Sequence, residues 1–235
     1  MPSILTDRVN YQVMGTNEWR HAPSLQAMAT DSLKFYLEAI PSADRNRLAG
    51  AKGPAAKFLP QTFDLADRSD ADWTPPSDLV SKALKAHNGE LFVSEPLQQP
   101  MEISGAITGQ LDCTVNKMDV DLYVSLYELL PNGEYLELFD PSYEFRASYA
   151  RDPVHRHLLK AGVRQPLPFR IGRLASRKLQ AGSRLVLVLG INKRPDRQIN
   201  YGTGNDVSDE SIADAKVPLR IRWYGSSYIE IPVRK

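Results

Sequence analysis

The sequence predicts an all-β protein, a sandwich or a barrel, and three observations carry that prediction. Between residues 91 and 146 apolar and polar side chains alternate in short runs separated by Pro and Asn-Gly punctuation. Seventeen Pro and fourteen Gly in 235 residues suit a chain that turns often. Short runs rich in β-branched and aromatic residues recur at 101–107, 184–189, 219–224 and 228–233, each bounded by Gly, Pro or Ser.

Taken in chain order, residues 9–15 read as a first strand ending at Gly15, and Asn17-Glu18-Trp19-Arg20 as the turn that follows. Residues 33–37 form another short apolar run. From 39 to 81 the composition shifts to Ala, Pro, Asp, Arg and Lys without a sustained period, which predicts a long, largely irregular surface excursion pinned by Phe58, Phe63 and Trp73. In the run from Asp121 to Leu129, Leu122, Val124 and Leu126 share one face and Tyr123, Ser125 and Tyr127 the other, the pattern of a half-buried strand. Asn132-Gly133 then predicts a type I′ hairpin turn, because both residues accept positive φ, with a strand returning through Tyr135, Glu137 and Phe139. Pro75-Pro76 and Pro166-Leu167-Pro168 mark loops or sheet edges. One short helix is expected at 208–215, capped by Asp206 or Ser208, with Asp209 and Glu210 suited to its positive N-terminus.

Composition bounds the function. The chain is long enough to bury a substantial core, and a single domain spanning 1–235 is the leading expectation. Net charge is +1, from 29 basic and 28 acidic residues, so nothing points to nucleic acid as a partner. No apolar run approaches the about 20 residues of a membrane helix, and the N-terminus lacks a signal-peptide pattern. With one cysteine, Cys113, no intrachain disulfide is available; these features point to the cytoplasm and to no membrane partner. Cys113 itself reads as a small buried apolar side chain.

Each candidate site has a sharp and a plain reading. His155 and His157 could share a metal, but Arg151, Arg156 and Lys160 would repel a cation, which favours a solvated loop and no metal or cofactor. Asp206, Asp209, Glu210 and Asp214 lack calcium-loop spacing and read as helix caps. Gly202-Thr203-Gly204 lacks the Lys-Ser/Thr of a phosphate loop and reads as a turn needing positive φ. Asp119 and Asp121 could act as an acid/base pair; salt bridging or turn stabilisation is the plainer use. Trp19 with Arg20 could form a sugar platform, or could pack in the core or at a domain interface. No G-x-S-x-G nucleophile elbow occurs, so no catalytic residue is assigned.

An ordered series of short signatures gives the chain a relative: Val13-Met14-Gly15 with Asn17-x-Trp19-Arg20, Ser94-x-Pro96-Leu97, Ile103-Ser104-Gly105, Asp119-x-Asp121-Leu122 and Pro131-x-Gly133. Arg146-x-x-Tyr149, Leu179-x-x-Gly182-x-Arg184-Leu185 and Asn200-x-Gly202-Thr203-Gly204 continue it. In that order the chain resembles the C-terminal domain of the cocaine-esterase-like (CocE/NonD) acyl hydrolases and X-Pro dipeptidyl-peptidases. The resemblance implies a jelly-roll β-sandwich of the galactose-binding-like type that is non-catalytic. Its implied partners are an α/β-hydrolase domain of the parent protein, carrying the Ser-Asp-His triad, and further copies of itself in a homo-oligomer. It also singles out the loop from Gly190 to Tyr201, which resembles the family loop that helps line the acyl pocket. Candidate entrance or interface residues are therefore Asn192, Lys193, Arg194, Arg197, Asn200 and Tyr201, together with Trp19 and Arg20. The family has an aromatic after the Asn where this chain has Lys193, which argues against an apolar acyl pocket here. The three cations could receive an acidic substrate group, pair with the hydrolase domain, or simply be solvated. The competing function is a free-standing sandwich that binds a carbohydrate or peptide in a surface groove.

Overall fold

The computed structural model describes residues 5–40, 45–72, 74, 78–84, 86–139, 142–194 and 196–235. Trp73 and the Pro75-Pro76 pair fall outside the described residues. The strands are β1 (Val9–Val13), β2 (Glu18–Ala22), β3 (Asp31–Glu38), β4 (Asn46–Ala49), β5 (Phe58–Phe63), β6 (Val80–Ser81), β7 (Gly89–Ser94) and β8 (Met101–Val115). They continue as β9 (Asp121–Leu129), β10 (Tyr135–Glu137), β11 (Tyr143–Arg146), β12 (Arg164–Leu179), β13 (Arg184–Ile191), β14 (Leu219–Tyr224) and β15 (Tyr228–Arg234).

Two layers enclose the core. In one, β8 is flanked by β12 on one edge and by β14 and β15 on the other, with β5 beyond β14 and β3 beyond β15. In the other, β13 lies between β7 and β9, and β9 carries β10 and β11. Strand β4 joins the layers, antiparallel to β3 and parallel to β7. Strict alternation along β8, β14 and β15 sends Ile103, Ile107, Leu111, Ile221, Trp223, Ile229 and Ile231 into the interior, where each is 2% exposed or less. The facing layer contributes Leu122, Val124, Leu126, Leu185, Leu187 and Leu189. At one end Tyr143 and Phe145 of β11 stack on Phe169 of β12, centroids 6.2 and 5.8 Å apart, so the aromatic contact crosses from layer to layer. Such pairs add about 0.5–1.5 kcal/mol beyond their buried area.

The all-β sandwich is as expected. The described part of residues 39–81 is largely irregular, as expected, but three short strands, β4, β5 and β6, lie within it, and β5 pairs along its whole length with β14. Three local expectations are corrected. Glu18, Trp19 and Arg20 are not in a turn but on β2, paired across a hairpin with β1. The β9–β10 connection is not type I′. Pro131, whose ring fixes a negative φ, and Asn132 are the central residues of a turn closed by the Gly133 N–H donating to the Leu130 carbonyl at 2.9 Å. Only Gly133 takes positive φ, 88°, as the bulge residue after the turn. The expected helix at 208–215 is instead two 3₁₀ turns, Val207–Asp209 and Ile212–Asp214, interrupted by extended Glu210 and Ser211. Asp206 caps the first, its carboxylate accepting from the Ser208 N–H at 2.9 Å, and Ser211 with Asp214 forms a capping box on the second.

Strand β9 is half-buried as expected, with Tyr123 and Tyr127 of its second face partly exposed; Ser125 on that face is 2% exposed, and Glu128, on the core-facing side, is wholly buried. Pro166 and Pro168 do lie on an edge, in β12, which pairs with β8 alone along 164–170.

Buried Glu128 is tied to the opposite layer: one carboxylate oxygen accepts from Arg177 Nε of β12 at 2.5 Å, the other from Ser183 Oγ at 2.7 Å and the Gln180 N–H at 3.1 Å. Removing one partner strands a buried charge, at a cost of about 3–5 kcal/mol, whereas an apolar pair of similar volume is close to neutral. Glu128→Ala is expected to lower stability by about that amount in urea unfolding, and Glu128→Leu with Arg177→Met to recover most of it. A double variant as unstable as Glu128→Ala would show that the pair is not the origin of the effect.

Candidate functional site

Three of the family-like signatures, those at 119–122, 146–149 and 200–204, meet in space at one end of the sandwich. Asp121 at the start of β9 receives both Nε and Nη2 of Arg146, at 2.8 and 3.0 Å, and the Asn200 side-chain amide at 2.9 Å. The Asn200 side-chain Oδ1 in turn accepts from the Gly202 N–H at 2.9 Å. Asp119 is 1% exposed; it accepts from the Ser148 N–H and Oγ at 3.0 and 2.7 Å and from Arg156 Nη2 at 3.0 Å. Both aspartates therefore bridge and stabilise turns. Gly202 and Gly204 take φ of 75° and 92°, the conformation that favours glycine. Glu210 holds the same loop, accepting from the N–H groups of Tyr201 and Thr203 at 2.7 and 2.8 Å, which explains why the expected helix is interrupted there.

The loop after β13 carries its own counter-charges. Asn192 is 8% exposed and its N–H donates to the Asp121 carbonyl at 2.8 Å. Lys193 is 5% exposed, with Nζ 3.5 Å from Asp67 and 3.8 Å from Asp70. Arg194 pairs with Asp196 at 2.8 Å and Glu144 at 3.2 Å, and the more exposed Arg197 reaches both at 3.2 Å. Tyr201 is buried, and its hydroxyl receives Arg68 at 2.6 Å. These residues come together with a strap, residues 64–72, which no period or motif in the sequence sets apart from the rest of the excursion. Leu65, 1% exposed, anchors the strap, and Arg68, Asp67 and Asp70 tie it to the body. Its four Asp residues around Arg68 are the available signal, but charge alone does not name a partner.

Trp19 and Arg20 are elsewhere, on the β1–β2 hairpin. Trp19 is 44% exposed, which removes it from the core, and Arg20 bonds Glu18 at 2.6 Å and buried Glu102 at 3.4 Å. The hairpin docks through Met14, whose N–H and carbonyl bond the Ser176 carbonyl and the Lys178 N–H at 3.0 and 2.9 Å. His155 and His157 lie exposed beside Asp152, which His155 Nδ1 approaches at 2.9 Å. No group of three or more His, Cys, Asp or Glu among the described residues is placed to hold a metal ion. No helix among them is long and apolar enough to cross a membrane. Cys113 is fully buried, and burial pushes its thiol up to about 12. It is a packing residue, not a poised nucleophile.

The arrangement defines a two-layer β domain whose conspicuous polar residues bind one another. Comparison with known proteins agrees: residues 5–193 match the family described as the X-Pro dipeptidyl-peptidase C-terminal non-catalytic domain, and the chain belongs to that family. It is 23% identical to cocaine esterase of Rhodococcus sp. (strain MB1 Bresler), over 97% of this chain and 42% of the esterase. Among solved structures, an aminopeptidase from a marine sediment Thaumarchaeota archaeon superposes with a TM-score of 0.76 at 17% identity, covering 97% of this chain and 40% of that one. An α-amino acid ester hydrolase gives 0.71 at 20% identity, over 96% and 41%. A CocE/NonD family hydrolase from Staphylococcus aureus gives 0.61 at 14%, over 96% and 40%. The chain thus spans about two fifths of the length of each of these relatives.

The contact of His87 with Asp70 of the strap predicts a pH dependence of folding. His87 Nε2 lies 3.1 Å from Asp70; burial lowers its pKa below the ordinary 6.5, Asp70 opposes this, and Lys193 and Arg194 add to the lowering. With the folded value below the unfolded one, the unfolded state takes up the proton first. The contribution is therefore fully present above about pH 6.5 and is lost as pH falls towards the folded value. Urea midpoints are expected to drop between pH 7.5 and 5.5, and His87→Gln to flatten that slope; an unchanged slope in the variant would assign it to other groups.

Proposed function

We propose that the whole chain, 1–235, acts as one non-catalytic C-terminal domain of a CocE/NonD-type serine hydrolase, covering the α/β-hydrolase portion and shaping the entrance to its active site. The observation that carries this reading is the family match over residues 5–193, combined with relatives more than twice as long as the chain. Residues beyond the match support the single unit, since β14 and β15 pair with β8 and β3 in the same sheet. The parent activity on this reading is hydrolysis of an acyl ester or of an X-Pro dipeptidyl peptide. Within the domain, the loop 192–201 and the strap 64–72 form the entrance wall. Because Lys193, Arg194 and Arg197 are neutralised by Asp67, Asp70, Glu144 and Asp196, the wall acts through shape more than through net charge.

A second reading rests on a specific observation, a cleft of about 620 Å³ between the loops that follow parallel strands β4 and β7. Apolar Phe35, Leu48, Pro96 and Leu97 and polar Arg47, Lys52, Glu95 and Gln98 are among the residues that line it. Its size suits a small ligand, as a carbohydrate- or peptide-binding module requires.

Two measurements separate the readings. The reading frame upstream of Met1 is expected to encode a G-x-S-x-G elbow, and the isolated chain is expected to release no p-nitrophenol from a p-nitrophenyl ester. Turnover by the chain alone, abolished by a serine-directed inhibitor, would sink the non-catalytic reading. An upstream frame without the elbow, together with a sugar or peptide that raises the melting temperature, would replace it with the binding module.

A further inference from the structure

The loop end of the sandwich leaves one apolar group uncovered. Met118, just before β9, and Leu158, in the long connection between β11 and β12, converge over Gly204: a Cβ built there would stand 2.8 Å from Met118 Cε and 3.3 Å from Leu158 Cδ1. Any larger residue at 204 would push the two apart. Despite this convergence they remain 41% and 42% exposed. Val154, in the same connection, is 73% exposed, the highest value among the large apolar side chains described, and Tyr149, next to the Ser148 whose carbonyl the His157 N–H bonds, is 37% exposed.

These side chains are held firmly while they face outward. The Leu159 N–H donates to the Met118 carbonyl at 2.8 Å, the Met118 N–H to the Gly202 carbonyl at 3.0 Å, and the His157 N–H to the Ser148 carbonyl at 2.7 Å. Arg156 clamps the connection from beneath, donating to the carbonyls of Gly204 and Asn205 at 3.2 and 2.7 Å as well as to Asp119. A preorganised, exposed apolar group loses little conformational freedom on docking, and contiguous patches of this kind mark interaction sites.

We infer that Met118, Tyr149, Val154 and Leu158 form the docking patch for the catalytic portion of the parent hydrolase. This rests on the function proposed above, since it names the surface through which the domain would cover its parent. Two features select that occupant. The relatives' chains extend well beyond the two fifths that this chain covers, so a covalently linked body of suitable size is available on that reading. The patch is also continuous, through the Gly202–Met118 bond and Gly204, with the loop 192–201 assigned to the entrance. A domain that docks at Met118 and Leu158 thereby brings that loop against the body it covers.

The test uses the full chain and the catalytic portion encoded upstream in the same reading frame, mixed and run on gel filtration with a titration of affinity. The wild-type chain is expected to co-elute with the catalytic portion, and Val154→Glu with Leu158→Glu to weaken binding at least tenfold. Leu174→Glu, a change at an equally exposed apolar position on β12, is expected to leave binding within twofold. Circular dichroism and melting curves confirm that each variant is folded. Co-elution of the wild type and the double variant with equal affinity would overturn the patch while leaving the proposed function standing. A wild-type chain that does not bind would overturn the proposed function and the patch with it. A dimer of the chain alone that the double variant dissolves would reassign the patch to self-association.

Discussion

The buried ion pair between Glu128 and Arg177 is the constraint on which the rest of the sandwich depends. Hydrophobic burial brings two β layers together but does not choose their relative position, because Leu, Ile and Val pack acceptably in many neighbouring arrangements. A carboxylate 0% exposed is less tolerant. It must find donors, and Glu128 finds them on Arg177, Gln180 and Ser183, all from the end of β12 and the turn into β13. A one-residue slip of β12 along β8 would turn Arg177 to the outer face and leave the carboxylate without its charge partner. The pair adds little net stability over an apolar substitute, and its contribution is to penalise the alternatives.

That fixed point is transmitted outward. Arg177 pairs with Ile103 on β8, and its neighbours Ser176 and Lys178 present the backbone groups that Met14 binds. The β1–β2 hairpin, otherwise a two-stranded ribbon of marginal stability, is thus seated on β12. It covers the outward-facing Glu102 and Ser104, which bond Arg20 and Tyr11 at 3.4 and 3.0 Å. At the other side of the same turn, Leu97 is bonded twice by the backbone, its N–H donating to the Ser183 carbonyl and its carbonyl accepting from the Gly182 N–H, both at 2.8 Å. Ser94 Oγ accepts the Leu185 N–H at 2.9 Å where β7 leaves β13. The Ser94-x-Pro96-Leu97 and Gly182-x-Arg184-Leu185 signatures are two halves of one joint.

What was legible in the sequence follows from how local its cause was. Alternation in β8, β9, β14 and β15 reports a one-sided environment directly, so those strands could be read, as could the capping role of Asp206 and the positive φ of Gly202 and Gly204. Asn132-Gly133 by itself signals a type I′ turn, but the fixed φ of Pro131 moves the turn one residue upstream. Strands β4 and β5 are not legible because neither signals itself: Asn46-Arg47-Leu48-Ala49 is short, and Pro60 interrupts Phe58–Phe63. Their strand character comes from partners β3, β7 and β14, which is tertiary information. The break at Glu210 likewise has a remote cause, the backbone of Tyr201 and Thr203. For the candidate site, the loop 192–201 was found by resemblance, whereas its counter-charges Asp67, Asp70 and Glu144 lie 50 to 126 residues away and carry no mark of their destination.

The distribution of polar groups also says what kind of surface this domain can offer. Asp119, Asp121, Glu128 and Glu210 spend their lone pairs on backbone N–H groups, hydroxyls, side-chain amides and guanidinium groups of their own chain, and Cys113 is buried with its thiol held protonated near neutral pH. Lys193 is closed off by two carboxylates at 5% exposure. Groups committed in this way stiffen the loops that carry them, and stiff loops keep Met118 and Leu158 outside when a flexible connection would fold them inward to reduce exposed apolar area. Internal polar satisfaction and external apolar display are therefore coupled: the same bonds that leave no charge seeking a ligand at Asp119 hold an apolar face ready for a protein surface.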